Sequence, residues 1–166
     1  MKRGLAPIEW PHSKILILGS LPGDQSLRMQ QYYANPRNHF WAILSSIFDD
    51  EVGATWDSRL SFLKSNGIAL WDVLHSAERE GSLDGKIRNP RVNDFVAVFE
   101  RMPNLRTLVL NGGKAASLFD RHGRSTMTKA SLDRLRVLKM PSTSPVPGRN
   151  VLALDAKIEK WRAIVD

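Results

Sequence analysis

Lys14-Ile-Leu-Ile-Leu18 runs directly into Gly19-Ser-Leu-Pro-Gly23, and near the other end of the chain Arg136-Val-Leu-Lys-Met140 runs directly into Pro141-Ser-Thr-Ser-Pro145. Each is an apolar run of strand length that stops at a cluster of Gly, Pro and Ser, the residues that punctuate regular structure. Two more runs behave alike. Ile68-Ala-Leu-Trp71 stops at Asp72, and Thr107-Leu-Val-Leu110 stops at Asn111-Gly-Gly113. Between them lie helical patterns: Phe40 to Phe48, Arg59 to Ser65 closed by Asn66-Gly67, Asn93 to Arg101 with Asn93 as N-cap, Lys114 to Arg121, and Asp155 to Val165. Residues 1–13 read as an irregular lead-in and Gly81 to Pro90 as a polar loop. Strands alternating with helices predict an α/β fold. At 166 residues this is a single domain over 1–166. The expected architecture is three-layer α/β/α around a central four-stranded, mainly parallel sheet. Right-handed crossovers then bring all four strand ends to one edge, where such sheets bind ligands.

Composition narrows the chemistry. The net charge is +7, which favours polyanions such as nucleic acid. The chain has no cysteine, so disulfides, thiol nucleophiles, iron–sulfur clusters and cysteine-held zinc are excluded. His12, His39, His75 and His122 show no metal-ligand spacing, so no metal site and no cofactor is expected. Neither Gly-x-Gly-x-x-Gly nor a Walker loop is present, which argues against a nucleotide-binding module. No segment approaches the ~20 apolar residues of a membrane span, and the start lacks a signal core. The expectation is a monomer in the cytoplasm, associated with the nucleoid, or in the nucleus of a nucleated cell.

Several segments together resemble the uracil-DNA glycosylase superfamily, most nearly its hypoxanthine (deoxyinosine) DNA glycosylases and next its mismatch uracil and thymine glycosylases. The first-strand loop Gly19-Ser-Leu-Pro-Gly23 and the last-strand loop Ser142-Thr-Ser-Pro-Val146 are similar to the two superfamily loops. Gln31-Tyr-Tyr-Ala-Asn-Pro-Arg-Asn-His-Phe-Trp41 is similar to the Pro-x-Asn-x-Phe-Trp segment of the mismatch branch, and Leu70-Trp-Asp-Val-Leu74 and Gly81-Ser-Leu-Asp84 resemble the hypoxanthine branch. The resemblance implies DNA containing a deaminated base as partner, hypoxanthine before uracil, with hydrolysis of the N-glycosidic bond. One departure stands out. Many members carry Asp or Asn at the third position of the first loop, where it helps water attack the sugar; here that position is Leu21.

The resemblance therefore implies Asn38 as the catalytic group, orienting water through its side-chain carbonyl. Asn38 is equally a candidate cap for the helix beginning at His39 or Phe40. Asp24 is the alternative acid, or a cap for the turn at Ser26 and Leu27. The implied base-binding set is Gly19, Ser20, Leu21, Pro22, Gly23, Tyr33, Asp72 and Asn111. Tyr33 would stack on the flipped base, or it packs with Tyr32 on the core. Asp72 would accept from a ring N–H, or it caps a turn. Asn111 reads a base edge or caps the helix near Gly113, the cap being the commoner meaning. Ser142, Thr143, Ser144, Pro145 and Val146 would grip the DNA backbone, with Val146 entering the gap left by the base; alone, Pro145-Val-Pro147 reads as a rigid turn. Arg37, Lys86, Arg88, Lys114 and Arg149 are candidate phosphate partners or solvated charges. No lysine falls at the leaving site by this resemblance, so no strand-cleaving lyase step is expected. Leu21 keeps a rival open: a catalytically silent binder of damaged DNA on the same scaffold.

Overall fold

The computed structural model describes residues 1–145 and 151–166. In chain order it contains β1 (Lys2–Arg3), β2 (Ile15–Gly19), α1 (Asp24–Met29), α2 (Phe40–Phe48), α3 (Trp56–Ser65), β3 (Ile68–Asp72), β4 (Leu74–Glu78), β5 (Arg88–Val92), α4 (Phe95–Arg101), β6 (Thr107–Asn111), α5 (Gly113–Leu118), α6 (Lys129–Asp133), β7 (Arg136–Met140) and α7 (Leu154–Trp161). The four strands expected from the sequence form one sheet in the order β3-β2-β6-β7. All three pairings are parallel. Helices flank this sheet, giving the three α/β/α layers.

Strands β2, β3 and β6 are buried along their whole length. That is why they read as continuous apolar runs rather than alternating ones. β3 ends the sheet, yet it is covered: Ile8 and Leu70 exchange both backbone hydrogen bonds at 2.9 Å. The opposite edge, β7, turns Arg136 and Lys139 outward, and such charges discourage pairing with another chain. Trp41, Trp71 and Trp161 lie in the core as expected, at 7%, 8% and 0% exposure.

The register matters for the site. Gly19 pairs with Asp72, and Asn111 pairs with Met140. The four strand ends are thus level on one edge of the sheet.

A second, three-stranded antiparallel sheet, β1-β4-β5, is absent from the sequence reading. It corrects the polar loop expected over Gly81 to Pro90, whose second half pairs as β5. Its residues are poor strand formers, and Pro90 is tolerated only because β5 is an edge. The expected cap of α4 also shifts by one residue. Asp94 accepts from Val96 N, whereas Asn93 is 5% exposed and donates to the Asp72 carbonyl at 2.8 Å. α3 begins earlier than expected, because the Thr55 hydroxyl accepts from Ser58 N and caps it.

Candidate active site

The level strand ends enclose a cavity of about 600 Å³. Its walls come from four segments: the β2 loop with the start of α1, the Tyr32–Asn38 approach to α2, the loop before β5, and the loop after β7. The first, second and fourth were foreseen. The third, Ser82 to Gly85, was not placed at the site by any strand-end argument.

That third wall is fixed to the first by a buried arginine. Arg79, 7% exposed at the end of β4, donates to the carbonyls of Pro22 at 2.6 Å, Gly81 at 2.7 Å and Leu21 at 3.3 Å. Its charge faces Asp24 at 3.8 Å. Ser82 Oγ accepts from Asp24 N at 2.8 Å, and Ser20 Oγ donates to Asp84 at 2.6 Å. Asp24 itself is paired with Lys2, which holds its carboxyl below the usual range. It does not cap α1, whose N-cap is Gly23 with no side-chain bond.

Asp72 lies at the cavity floor, 4% exposed. One carboxyl oxygen, Oδ2, has no hydrogen-bond partner among the described residues. Burial, helped by the charge of nearby Asp84, pushes its pKa up to about 7. Asp84 is raised as well, chiefly by desolvation, although Ser20 opposes this. A Cβ on Gly19 would stand 2.6 Å from Asp72 Oδ1 and 3.3 Å from the Tyr33 hydroxyl. Glycine is therefore needed at position 19 for close approach. Among the described residues no backbone N–H donates to the Asp72 carboxylate, so it does not cap a turn there.

Tyr33 is held on several sides. Its ring stacks on Phe40 with centroids 3.7 Å apart. Its hydroxyl accepts from Asn111 Nδ2 at 3.1 Å, and its carbonyl accepts from Trp41 Nε1 at 3.1 Å. Its φ is +52°, a left-handed conformation that costs a bulky residue about 1 kcal/mol or more. Such local strain is typical of sites where position matters more than comfort. Tyr33 thus packs on the core and lines the cavity at once.

Asn111 does not cap α5, correcting that expectation; the N-cap is Gly112, at φ +97° and without a side-chain bond. Its amide instead ties two loops together. Nδ2 donates to Thr143 Oγ1 and to Tyr33, and Oδ1 accepts from Thr143 N, all at 3.1 Å. A Cβ on Gly112 would meet Ser142 Cβ at 2.9 Å, so the left-handed glycine also makes room for the last loop.

Asn38 lines the cavity, half-buried. Its Oδ1 accepts from Phe40 N at 2.9 Å, the capping contact foreseen as one of its two readings. An amide oxygen has a second lone pair, so the cap leaves capacity for water. Gly19 to Gly23 and Ser142 to Pro145 all line the cavity; Val146 and Arg149 lie outside the described residues. Lys157 joins the lining too. The sequence reading did not single it out: in the stretch Asp155-Ala-Lys-Ile-Glu-Lys160 nothing local marks it as buried.

Comparison with known proteins agrees with this geometry. A family profile described as the uracil DNA glycosylase superfamily matches residues 8–163. A hypoxanthine DNA glycosylase of Methanosarcina barkeri is 43% identical over 115 residues, 69% of this chain and 73% of its own length. The hypoxanthine DNA glycosylase of Methanosarcina acetivorans is 43% identical over 116 residues, with the same shares. A solution structure from Methanosarcina acetivorans, described there as a candidate uracil DNA glycosylase, superposes with a TM-score of 0.80 at 35% identity, covering 98% of this chain and 95% of that one.

Proposed function

The chain belongs to the uracil DNA glycosylase superfamily and is a DNA repair glycosylase acting on deaminated bases, and from that premise we propose that hypoxanthine is the base it removes. The observation that carries this reading is the orphaned Oδ2 of buried Asp72 on the cavity floor. Hypoxanthine presents an N–H donor at ring position N1, where adenine presents an acceptor. A carboxylate accepts from that N–H and has nothing to offer adenine's lone pair. Rejection is strong because the wrong base would leave a buried acceptor unmatched. Uracil also carries a ring N–H, so it is the second substrate.

In this reading the nucleotide is extruded into the cavity and its base lies against Tyr33. Phe40 behind the ring and Asn111 on its hydroxyl keep that platform from moving. The N–H groups of Ser20, Leu21 and Gly23 are the candidate donors to the departing base, and Arg79 braces their loop by holding two of its carbonyls. The C1′–N9 bond breaks toward an oxocarbenium-like sugar, its electron pair leaving with the base. Water held on Asn38 Oδ1 adds its oxygen to C1′ and keeps one proton as the new hydroxyl; its other proton is released to solvent, and the departing base anion takes one proton in return. An amide is a weak base, but this loose transition state asks for orientation more than proton removal.

The test is excision from labelled duplexes holding one hypoxanthine or one uracil, read by alkaline cleavage of the abasic product. We expect hypoxanthine to be released faster. Uracil released faster would overturn the base assignment, and salt-sensitive binding with neither base released would favour the silent binder that Leu21 keeps open.

A further inference from the structure

Among the described residues, Lys157 is the one buried cation that this mechanism does not use. It is 2% exposed, in the first turn of α7. Its Nζ donates to the Ser144 carbonyl at 3.3 Å and stands 3.2 Å from His39 Nδ1. For that nitrogen to accept, His39 must be neutral with its proton on Nε2; burial and the charge of Lys157 both lower the His39 pKa, in agreement. An ammonium has three donors, and among the described residues Lys157 uses two of them. No ion pair joins Lys157 to a carboxylate among the described residues, and residues 146–150, Val-Pro-Gly-Arg-Asn, contain no acid.

A buried cation without a counter-charge is costly and is kept where something else supplies the anion. Here the amine lines the same cavity as Asn38, Ser142, Ser144 and Pro145. His39 follows Asn38 directly, and His39 N donates to the Thr143 carbonyl at 3.0 Å. Lys157 thus sits where the Asn38 turn meets the last loop. The anion that enters a glycosylase cavity beside an extruded nucleotide is a phosphodiester.

We propose that Lys157 is a DNA-phosphate ligand, which takes one phosphodiester oxygen flanking the extruded nucleotide while the Ser144 carbonyl and His39 aim its amine. The proposal rests on the glycosylase reading but not on which base is removed. It also accounts for a lysine buried to 2% exposure without a carboxylate partner among the described residues.

The test uses the full chain and a duplex carrying a tetrahydrofuran abasic analogue, with a neutral methylphosphonate placed at each flanking phosphate in turn. Wild type is compared with Lys157→Gln and Lys157→Arg after thermal melts confirm folding. We expect one phosphate position where neutralisation weakens wild type about tenfold and weakens Lys157→Gln no further. The dependence of log affinity on log salt should fall by about one in Lys157→Gln, and Lys157→Arg should restore it. Additive effects at every phosphate with an unchanged salt slope would overturn the proposal and leave Lys157 as a brace. A borohydride-trapped imine between Lys157 and an aldehydic abasic duplex would also overturn it, making the amine a nucleophile. Since no base occupies the site in the abasic duplex, finding the coupling without hypoxanthine release would sink the base assignment alone.

Discussion

At the residue scale, Asp72 couples folding to recognition. Its folded pKa of about 7 lies above its ordinary value of 3.8. The folded state therefore holds the proton more tightly than the unfolded chain. Its contribution to stability is full below pH 3.8, declines as pH rises, and levels off above pH 7. Asp72→Asn should then be more stable than wild type at pH 8, by about 1–3 kcal/mol, with the advantage shrinking toward pH 5; denaturant melts at the two values check this. Function runs the other way, because the carboxylate is the form that accepts N1–H. For the free enzyme, kcat/KM on hypoxanthine should rise through about pH 7. Asp72→Asn should abolish that rise, and a profile unchanged in the variant would remove Asp72 from base reading. Gly19 is the complementary position. A methyl there has 2.6 Å to Asp72 Oδ1, too short for any contact, so Gly19→Ala must displace the carboxylate. We expect excision to fall by about 100-fold while duplex affinity changes little, measured by single-turnover rates beside binding isotherms.

At the element scale, the site is assembled by two ties between loops, and each predicts a distinct loss. Arg79 joins the β2 loop to the loop before β5 through three carbonyls. Arg79→Met keeps most of the buried stem and strands those acceptors. It should destabilise the chain by about 2–4 kcal/mol and raise hydrogen exchange first in residues 81–85. Asn111→Ala leaves the buried Thr143 N–H unmatched. A cost of about 1–3 kcal/mol is expected, with KM rising as the last loop loosens; a variant as stable as wild type would show that the tie does not hold the loop. These ties also mark what the sequence could and could not reveal. The strands β2, β3, β6 and β7 are legible because burial on both faces writes them as unbroken apolar runs, and their loops are legible because Gly and Pro end them. Arg79 is not legible, since nothing local separates a buried arginine from a surface one, and its acceptors lie 57 residues or more away for the β2 loop. β4 and β5 carry too little apolar pattern to be read as strands. Asn93 and Asn111 look like caps by local rules, and each was drawn instead into a contact with a distant strand end or loop.

At the scale of the whole molecule, the basic surplus and the cavity serve different ends. A net charge of +7 supplies affinity without regard to sequence, whereas the cavity supplies choice. Binding to undamaged duplex should therefore weaken steeply with salt, while the preference for hypoxanthine over adenine at the extruded position should change little; titrations at several salt concentrations separate the two. The level strand ends let four distant segments share one cavity, so catalysis depends on the fold as a whole, yet the account hinges on the water held by Asn38. Asn38 also caps α2 through Phe40 N, and two substitutions divide these roles. Asn38→Ser keeps a capping oxygen but is too short to reach the water, and Asn38→Ala loses both. The decisive measurement is the single-turnover rate of hypoxanthine release from a saturated duplex for wild type and both variants, beside their duplex affinities. Both variants should lose about 100-fold or more in rate, with affinity within a few-fold of wild type. If Asn38→Ser releases the base at the wild-type rate, Asn38 is a cap and the water is positioned by another group.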